Sequence, residues 1–169
     1  QLDEAGRGFS FAAEGPLELR KQLSNLPARP GMQLFEAGTI RVVGNDLEEG
    51  QRTFAEHVAS LLKQGLVPLG LGGGHEIALG SFLGLAKHLA GMDQQPRIGI
   101  LNLDAHFDLR AAEQGTSGTP FRQIAQACEV RGWPFHYAVL GISAFANTEA
   151  LFQAARALGV TWRLDEAMG

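Results

Sequence analysis

The sequence predicts an α/β fold organised around a mainly parallel sheet, and three observations carry that reading. Short apolar runs alternate with helix-periodic segments along the chain, which is the pattern of βαβ units. The run RIGILNLD at 97–104 is almost continuously apolar, as suits a parallel strand covered on both faces. The two most unusual polar stretches, Gly72-Gly73-Gly74-His75-Glu76 and Asp104-Ala105-His106-Phe107-Asp108, each follow a strand-like run. Open sheets of this kind place their sites there, outside the carboxyl ends of the strands.

Taken in order, the first helix follows Glu14-Gly15-Pro16, where proline suits a first-turn position. Leu17, Leu19, Leu23 and Leu26 give it a rough apolar face, and Pro27 and Pro30 end it. Residues 39–43, TIRVV, are short and β-branched and read as a strand. After a polar turn at Gly44-Asn45-Asp46, residues 47–64 set Phe54, Val58, Leu61 and Leu62 at helical spacing, and Gly65 closes the helix. LVPLGL at 66–71 reads as a strand, GGGH as a turn, and 76–89 as a helix ending near Gly91. A long polar loop at 104–119 joins the RIGILNLD strand to a helix around 121–129. HYAVLGI at 136–142 is strand, 148–158 helix, and GVTWRL at 159–164 strand.

A chain of 169 residues holds one domain with a real core, so 1–169 is read as a single domain. The formal charge of -4, with no Lys/Arg cluster interleaved with aromatics, argues against a nucleic-acid partner. The longest apolar runs fall far below the roughly 20 residues that span a bilayer, and no signal peptide is visible, so a membrane partner is not expected. Cys128 is the lone cysteine and cannot form an intrachain disulfide, which fits a reducing cytoplasm. Its helical flanks make it a small buried hydrophobe rather than a nucleophile. The chain opens at Gln1 without a methionine and stops at Gly169 soon after a strand-like run, which reads as a piece of something longer.

Asp104, His106 and Asp108 stand at i, i+2 and i+4, a spacing that in extended backbone turns all three side chains to one side. Two carboxylates on one surface repel unless a cation lies between them. Oxygen ligands with imidazole suit Mn or Fe as well as Zn, while a single cysteine excludes an all-thiolate zinc site. His75 sits where a strand hands over to a helix, and the positive helix terminus is expected to keep it neutral, as a metal ligand must be. The glycines before it permit a sharp turn. A dinucleotide fingerprint would need glycine at position 75 after Gly70 and Gly72, and a Walker loop would need Lys and Ser or Thr after the last glycine. Neither pattern occurs. Taken singly, DxH is usually a loop and GGGH usually a turn; at successive strand ends they reinforce one another. His57, His88 and His136 read as surface or packing histidines, and Trp133, Phe135 and Trp162 as core or loop-packing aromatics.

GGGHE followed by NLDAHFDLR resembles the ureohydrolase family of arginases and agmatinases, and DAHxD is its most specific element. SGTPFRQIA, the opening DEAGRGFSFAAEGP and the stretch WPFHYAVLGISAFAN look like the branch of that family acting on N-formimidoyl-L-glutamate, so the resemblance covers nearly the whole chain. It implies a three-layer αβα fold with a mainly parallel sheet, incomplete here at the C-terminus. It also implies two Mn2+ ions and hydrolysis of a C–N amidine bond, giving L-glutamate and formamide in histidine degradation. His75, Asp104 and Asp108 would serve one metal, with Asp104 bridging and His106 on the other. Ser117 and Thr119 match the substrate-loop positions. The family completes its site with later aspartates in an SxDxD motif that this chain does not contain, so at most one weakly held ion is expected here.

Two departures bear on substrate: Arg110 stands where arginases carry Asn, and Phe121 where they carry His. Arg110 is either an ordinary surface arginine or the partner of a substrate carboxylate, which a guanidinium grips bidentately. Phe121 cannot move protons, so another acid must protonate the leaving nitrogen, and Asp108 is one candidate. The partner expected is a small-molecule substrate, with a homo-oligomer as an open option. The alternatives are an agmatinase or guanidino-acid hydrolase of the same family, or a truncated, non-catalytic form of the fold.

Overall fold

A computed structural model describes residues 12–27, 30–42, 44, 46–91 and 95–168. Helix α1 (Gly15–Leu23) carries Pro16 in its first turn, where a missing N–H costs nothing. Its leucines are not a core face among the described residues, for Leu17, Leu19, Leu23 and Leu26 are all exposed. The helix is tied instead by Arg20, whose guanidinium reaches both carboxylate oxygens of Glu36 and the carbonyl of Gly38. Residues 39–42 are irregular chain rather than the expected strand, and Val43 lies outside the described residues, as does the whole stretch before Ala12.

Helix α2 (Leu47–Lys63) begins as its sequence dictates. The Asp46 carboxylate accepts from the Glu49 N–H, satisfying one of the four orphan donors of a helix start. Gly65, at φ +76, ends it in a left-handed turn closed by Leu66 N–H to the Leu61 carbonyl. Helix α3 (Ile77–Leu89) packs closely against α2 because Gly80 and Gly84 face it. A Cβ on Gly84 would lie 2.5 Å from Val58 Cβ and 2.6 Å from the Ala55 carbonyl oxygen, so no other residue permits this approach.

Strands β1 (Gly99–Leu103), β2 (His136–Ile142) and β3 (Thr161–Leu164) form a parallel sheet in the order β1-β2-β3, joined through α4 (Pro120–Arg131) and α5 (Glu149–Ala157). Gly99 pairs with His136 and Leu103 with Leu140, while Gly141, at φ +98, breaks the β2–β3 register at the carboxyl end. One core gathers Leu79, Phe82 and Ala86 of α3, Ile124 and Cys128 of α4, Tyr137, Val139 and Ile142 of β2, and Ala155 of α5. Trp133, Phe135 and Trp162 pack against it, as expected of aromatics in this pattern.

The expected strand at 66–71 does not form a ladder. A strand exists through paired N–H and C=O groups, and no described segment pairs with LVPLGL or with the outer edge of β1. Val67, Leu69, Leu101 and Leu103 are correspondingly solvent-facing, Val67 at 93% and Leu103 at 74%. Apolar residues alternate in and out along β1, so the sheet shows solvent one face that its composition suits to burial.

Candidate metal centre

The segment after β1 is shaped by alternation. Phe107 and Leu109 are fully buried and anchor the loop in the core, which leaves Asp108 between them facing the other way. Phe107 is gripped edge-on by the rings of Phe152 and Trp162, at 5.1 and 5.4 Å between centroids. Asp104 continues the ladder by donating its N–H to the Leu140 carbonyl, and its Oδ1 accepts from the His106 N–H at 2.9 Å, which turns the chain at once. Asn147 holds this turn from across the sheet. Its Oδ1 accepts from the Phe107 N–H at 3.1 Å, and its Nδ2 donates to the carbonyls of Ala105 and Ser143, each at 2.8 Å.

Asp108 is the one non-glycine residue at positive φ among the described residues, at 47°. Left-handed backbone disfavours a side chain, least so for Asp and Asn, and such conformations persist where surrounding contacts over-determine them. The contacts here are the buried residues on either side, the Phe121 N–H donating to the Asp108 carbonyl at 3.3 Å, and the Arg110 N–H donating to the Gly118 carbonyl at 3.0 Å.

His75 arrives from the other direction, in the turn between 66–71 and α3, with its carbonyl accepting from Ala78 N–H. Its Nδ1 lies 2.7 Å from Asp108 Oδ2 and 2.9 Å from Asp104 Oδ2. These three residues each offer a ligand atom, and the atoms lie within 4.8 Å of one another. The hydrogen bond to Asp108 pushes the imidazole pKa above its usual value, partial burial opposes this, and the charges of Asp108 and Asp104 reinforce it. The same two carboxylates that favour a proton on this nitrogen favour a divalent cation beside it. One imidazole nitrogen with two carboxylate oxygens is also a donor set that Mn2+, Fe2+ or Zn2+ accepts, so these residues fit a divalent metal.

The other residues singled out from sequence lie as follows. The extended geometry assumed for 104–108 ends at Leu103, so His106 does not join the trio; its ring is half exposed, with Nδ1 3.4 Å from Asp104 Oδ1. Arg110 is exposed, and its side chain lies over Gly118, where a Cβ would come 3.1 Å from Arg110 Cδ. Ser117 is half-buried. Thr119 is buried, and its hydroxyl accepts from Thr116 N–H while lying 3.0 Å from the Thr116 carbonyl and 2.8 Å from Gln123 Oε1. It serves the turn that starts α4.

Four residues about the centre escape any spacing rule. Asn147 clamps the loop, and Phe121 meets the His75 ring edge-on at 5.2 Å. Phe121 also stacks on Tyr137 at 4.3 Å, and the Tyr137 hydroxyl accepts from Asn102 Nδ2 and donates to the Phe107 carbonyl, both at 3.1 Å. Burial pushes the Tyr137 phenol far above its usual pKa, so it is a neutral structural hydroxyl. The sequence marks Phe121 only as standing where arginases carry His, and nothing local marks Asn102, Tyr137 or Asn147.

A parallel α/β sheet thus carries a His-Asp-Asp cluster suited to a divalent metal at its carboxyl edge, and comparison with known proteins assigns the fold to a family. The Arginase family model matches residues 1–168, and the chain belongs to that family. It is 59% identical over 158 residues to formimidoylglutamase of Ralstonia nicotianae, covering 93% of this chain and 49% of that protein. Formimidoylglutamase of Aromatoleum aromaticum is 52% identical over 170 residues, with 96% of this chain and 50% of that protein covered. The chain thus spans about half the length of the curated relatives it matches. Among solved structures, formimidoylglutamase of Bacillus subtilis superposes with a TM-score of 0.80 at 24% identity over 99% of this chain and 53% of that one. Trypanosoma cruzi formiminoglutamase with Mn2+ gives 0.76 at 22% identity over 91% and 53%. At such identities these likenesses establish the arginase fold.

Proposed function

We propose that this chain supplies the N-terminal half of a single catalytic domain, and part of the metal centre, of a manganese-dependent hydrolase. Its substrate on this reading is N-formimidoyl-L-glutamate. The observation that carries the reading is the convergence of His75, Asp104 and Asp108, with the imidazole nitrogen within 2.9 Å of both carboxylates. The names of the two relatives reported above, formimidoylglutamases at 59% and 52% identity, support the substrate. The reaction adds water across the imidoyl carbon and breaks its bond to the glutamate nitrogen, releasing formamide and L-glutamate.

His75, Asp104 and Asp108 hold one ion, and His106, exposed beside Asp104, is the candidate ligand of a second. Bound divalent ions supply Lewis acidity and a water acidified toward neutral pH. Arg110, exposed on the loop after Asp108, pairs with a carboxylate of the dicarboxylic substrate. Ser117 and the backbone about Thr119 form the neighbouring substrate loop; the Thr119 hydroxyl itself is spent on the turn. On this reading the Asp108 carboxylate would take the proton released by the attacking water and pass it to the leaving nitrogen, so that the amine leaves neutral. No helix among the described residues is long and apolar enough to cross a membrane, and with a single buried cysteine the cytoplasm is the compartment proposed. The test is formamide release by the full-length parent with formimidoylglutamate, agmatine and arginine in parallel. Preference for agmatine or arginine would replace this substrate with the agmatinase-type alternative.

A further inference from the structure

We infer that Phe121 is a positioning residue that fixes the two metal-facing groups of separate segments, the His75 ring and the Asp108 backbone, against each other. The inference rests on the metal-centre reading above and adds a residue to it. Phe121 is buried at 2% exposure and touches both groups by different means: its ring meets the imidazole edge-on at 5.2 Å and 84°, and its N–H donates to the Asp108 carbonyl at 3.3 Å. The ring is itself immobilised, stacked at 4.3 Å on Tyr137, whose hydroxyl is bonded on both sides.

His75 needs such a support. The turn that bears it follows 66–71, a segment without ladder hydrogen bonds to any of the described residues, and Gly72-Gly73-Gly74 confer little stiffness. Its ring orientation must therefore come from side-chain contacts, and apart from the two carboxylates Phe121 is the ring it meets. Edge-to-face pairs have a preferred geometry as well as an attraction. The backbone bond to Asp108 places the same residue at the left-handed position that aims the second carboxylate. One residue, through its ring and its backbone N–H, thus sets the relative placement of a nitrogen and an oxygen ligand that lie 33 residues apart.

The test uses the full-length parent with Phe121→Leu, Phe121→Met and Phe121→Tyr, and Ile124→Val as a core control one turn further along α4. Loss of one aromatic pair corresponds to a roughly three- to tenfold weaker Mn2+ affinity in the Leu and Met variants. The Mn2+ electron paramagnetic resonance lines should broaden as ligand geometry becomes heterogeneous, and Phe121→Tyr, which keeps the ring, should restore both. In the metal-free protein, 15N spectra should show the His75 ring losing its fixed Nδ1–H to Asp108 hydrogen bond in the Leu and Met variants. Unchanged affinity and unchanged imidazole signals in those variants overturn the inference. So does a fall in affinity that merely follows lost stability, as judged by an equal fall in Ile124→Val. Wild-type protein that binds no Mn2+ would defeat the metal-centre reading instead, and the imidazole spectra would still decide the role of Phe121.

Discussion

Replacing Asn147 with Ala removes the clamp on the 104–108 loop, and the structure allows its cost to be worked out group by group. Three hydrogen bonds are lost, but their partners differ. The Ala105 carbonyl keeps the Ser143 N–H at 3.1 Å, and the Ser143 carbonyl keeps the Ala146 N–H at 3.3 Å, so neither is orphaned. Each of those losses should cost only about 0.5 kcal/mol, the low end for a net hydrogen bond. Among the described residues the Phe107 N–H has no acceptor other than Asn147 and belongs to a residue with 0% exposure, so it is left buried and unpaired, at about 1–3 kcal/mol. The sum is about 2–4 kcal/mol, or a melting temperature lower by roughly 4 to 16 °C for a domain of this size. Asn147→Asp should fare no better, because it puts a carboxylate oxygen against the two carbonyls that the amide nitrogen served. Chemical denaturation of the full-length parent measures the loss, and Mn2+ titration should show weaker binding, since Asp104 and Asp108 flank the loosened turn. A destabilisation below about 0.5 kcal/mol for Asn147→Ala would refute the clamp.

Three further outcomes are expected. The Tyr137 phenol is held above its ordinary pKa by burial, so the stability it contributes is fully present below about pH 10, the unfolded value, and is lost as pH rises toward the folded one. Denaturation midpoints of wild type should therefore fall more steeply above pH 10 than those of Tyr137→Phe, although that variant starts less stable at neutral pH; parallel curves would contradict this. Gly84→Ala places a Cβ 2.5 Å from Val58 Cβ and 2.6 Å from a backbone oxygen, so it should cost about 1–3 kcal/mol by forcing α2 and α3 apart, and an unchanged midpoint would show that the helices yield freely. Arg110→Asn in the full-length parent should raise KM for formimidoylglutamate far more than it lowers kcat, as lost uniform binding does, whereas an unchanged KM would make Arg110 a surface residue.

Much of this was written in local sequence. The cap Asp46, the closing Gly65 and the alternation of apolar runs with periodic segments place α2 to α5 and β1 to β3 within a few residues of their observed bounds. His75, Asp104 and Asp108 were legible because their residue types at strand ends had few uses other than metal binding. His106 was misplaced by assuming extended backbone beyond β1, where the Asp104 carboxylate instead captures the His106 N–H and turns the chain. The strand at 66–71 was misread for a different reason: its composition favours a strand, but a ladder needs a partner, and none of the described residues supplies one. Asn147 and Tyr137 act on residues 40 and 30 positions away, a separation at which no periodicity speaks.

The most direct test is calorimetric titration of Mn2+ into the isolated chain of 169 residues, beside the same titration of the full-length parent, with formamide release followed in both. The isolated chain brings together one imidazole and two carboxylates, and it leaves Leu101 and Leu103 of β1 uncovered. It should therefore hold at most one ion weakly, release negligible formamide and tend to associate through its open sheet, as bare strand edges do. The parent should bind two ions and turn over. Two tight sites with clear turnover in the isolated chain would contradict the half-site reading, and no Mn2+ binding by the parent would contradict the metal centre altogether.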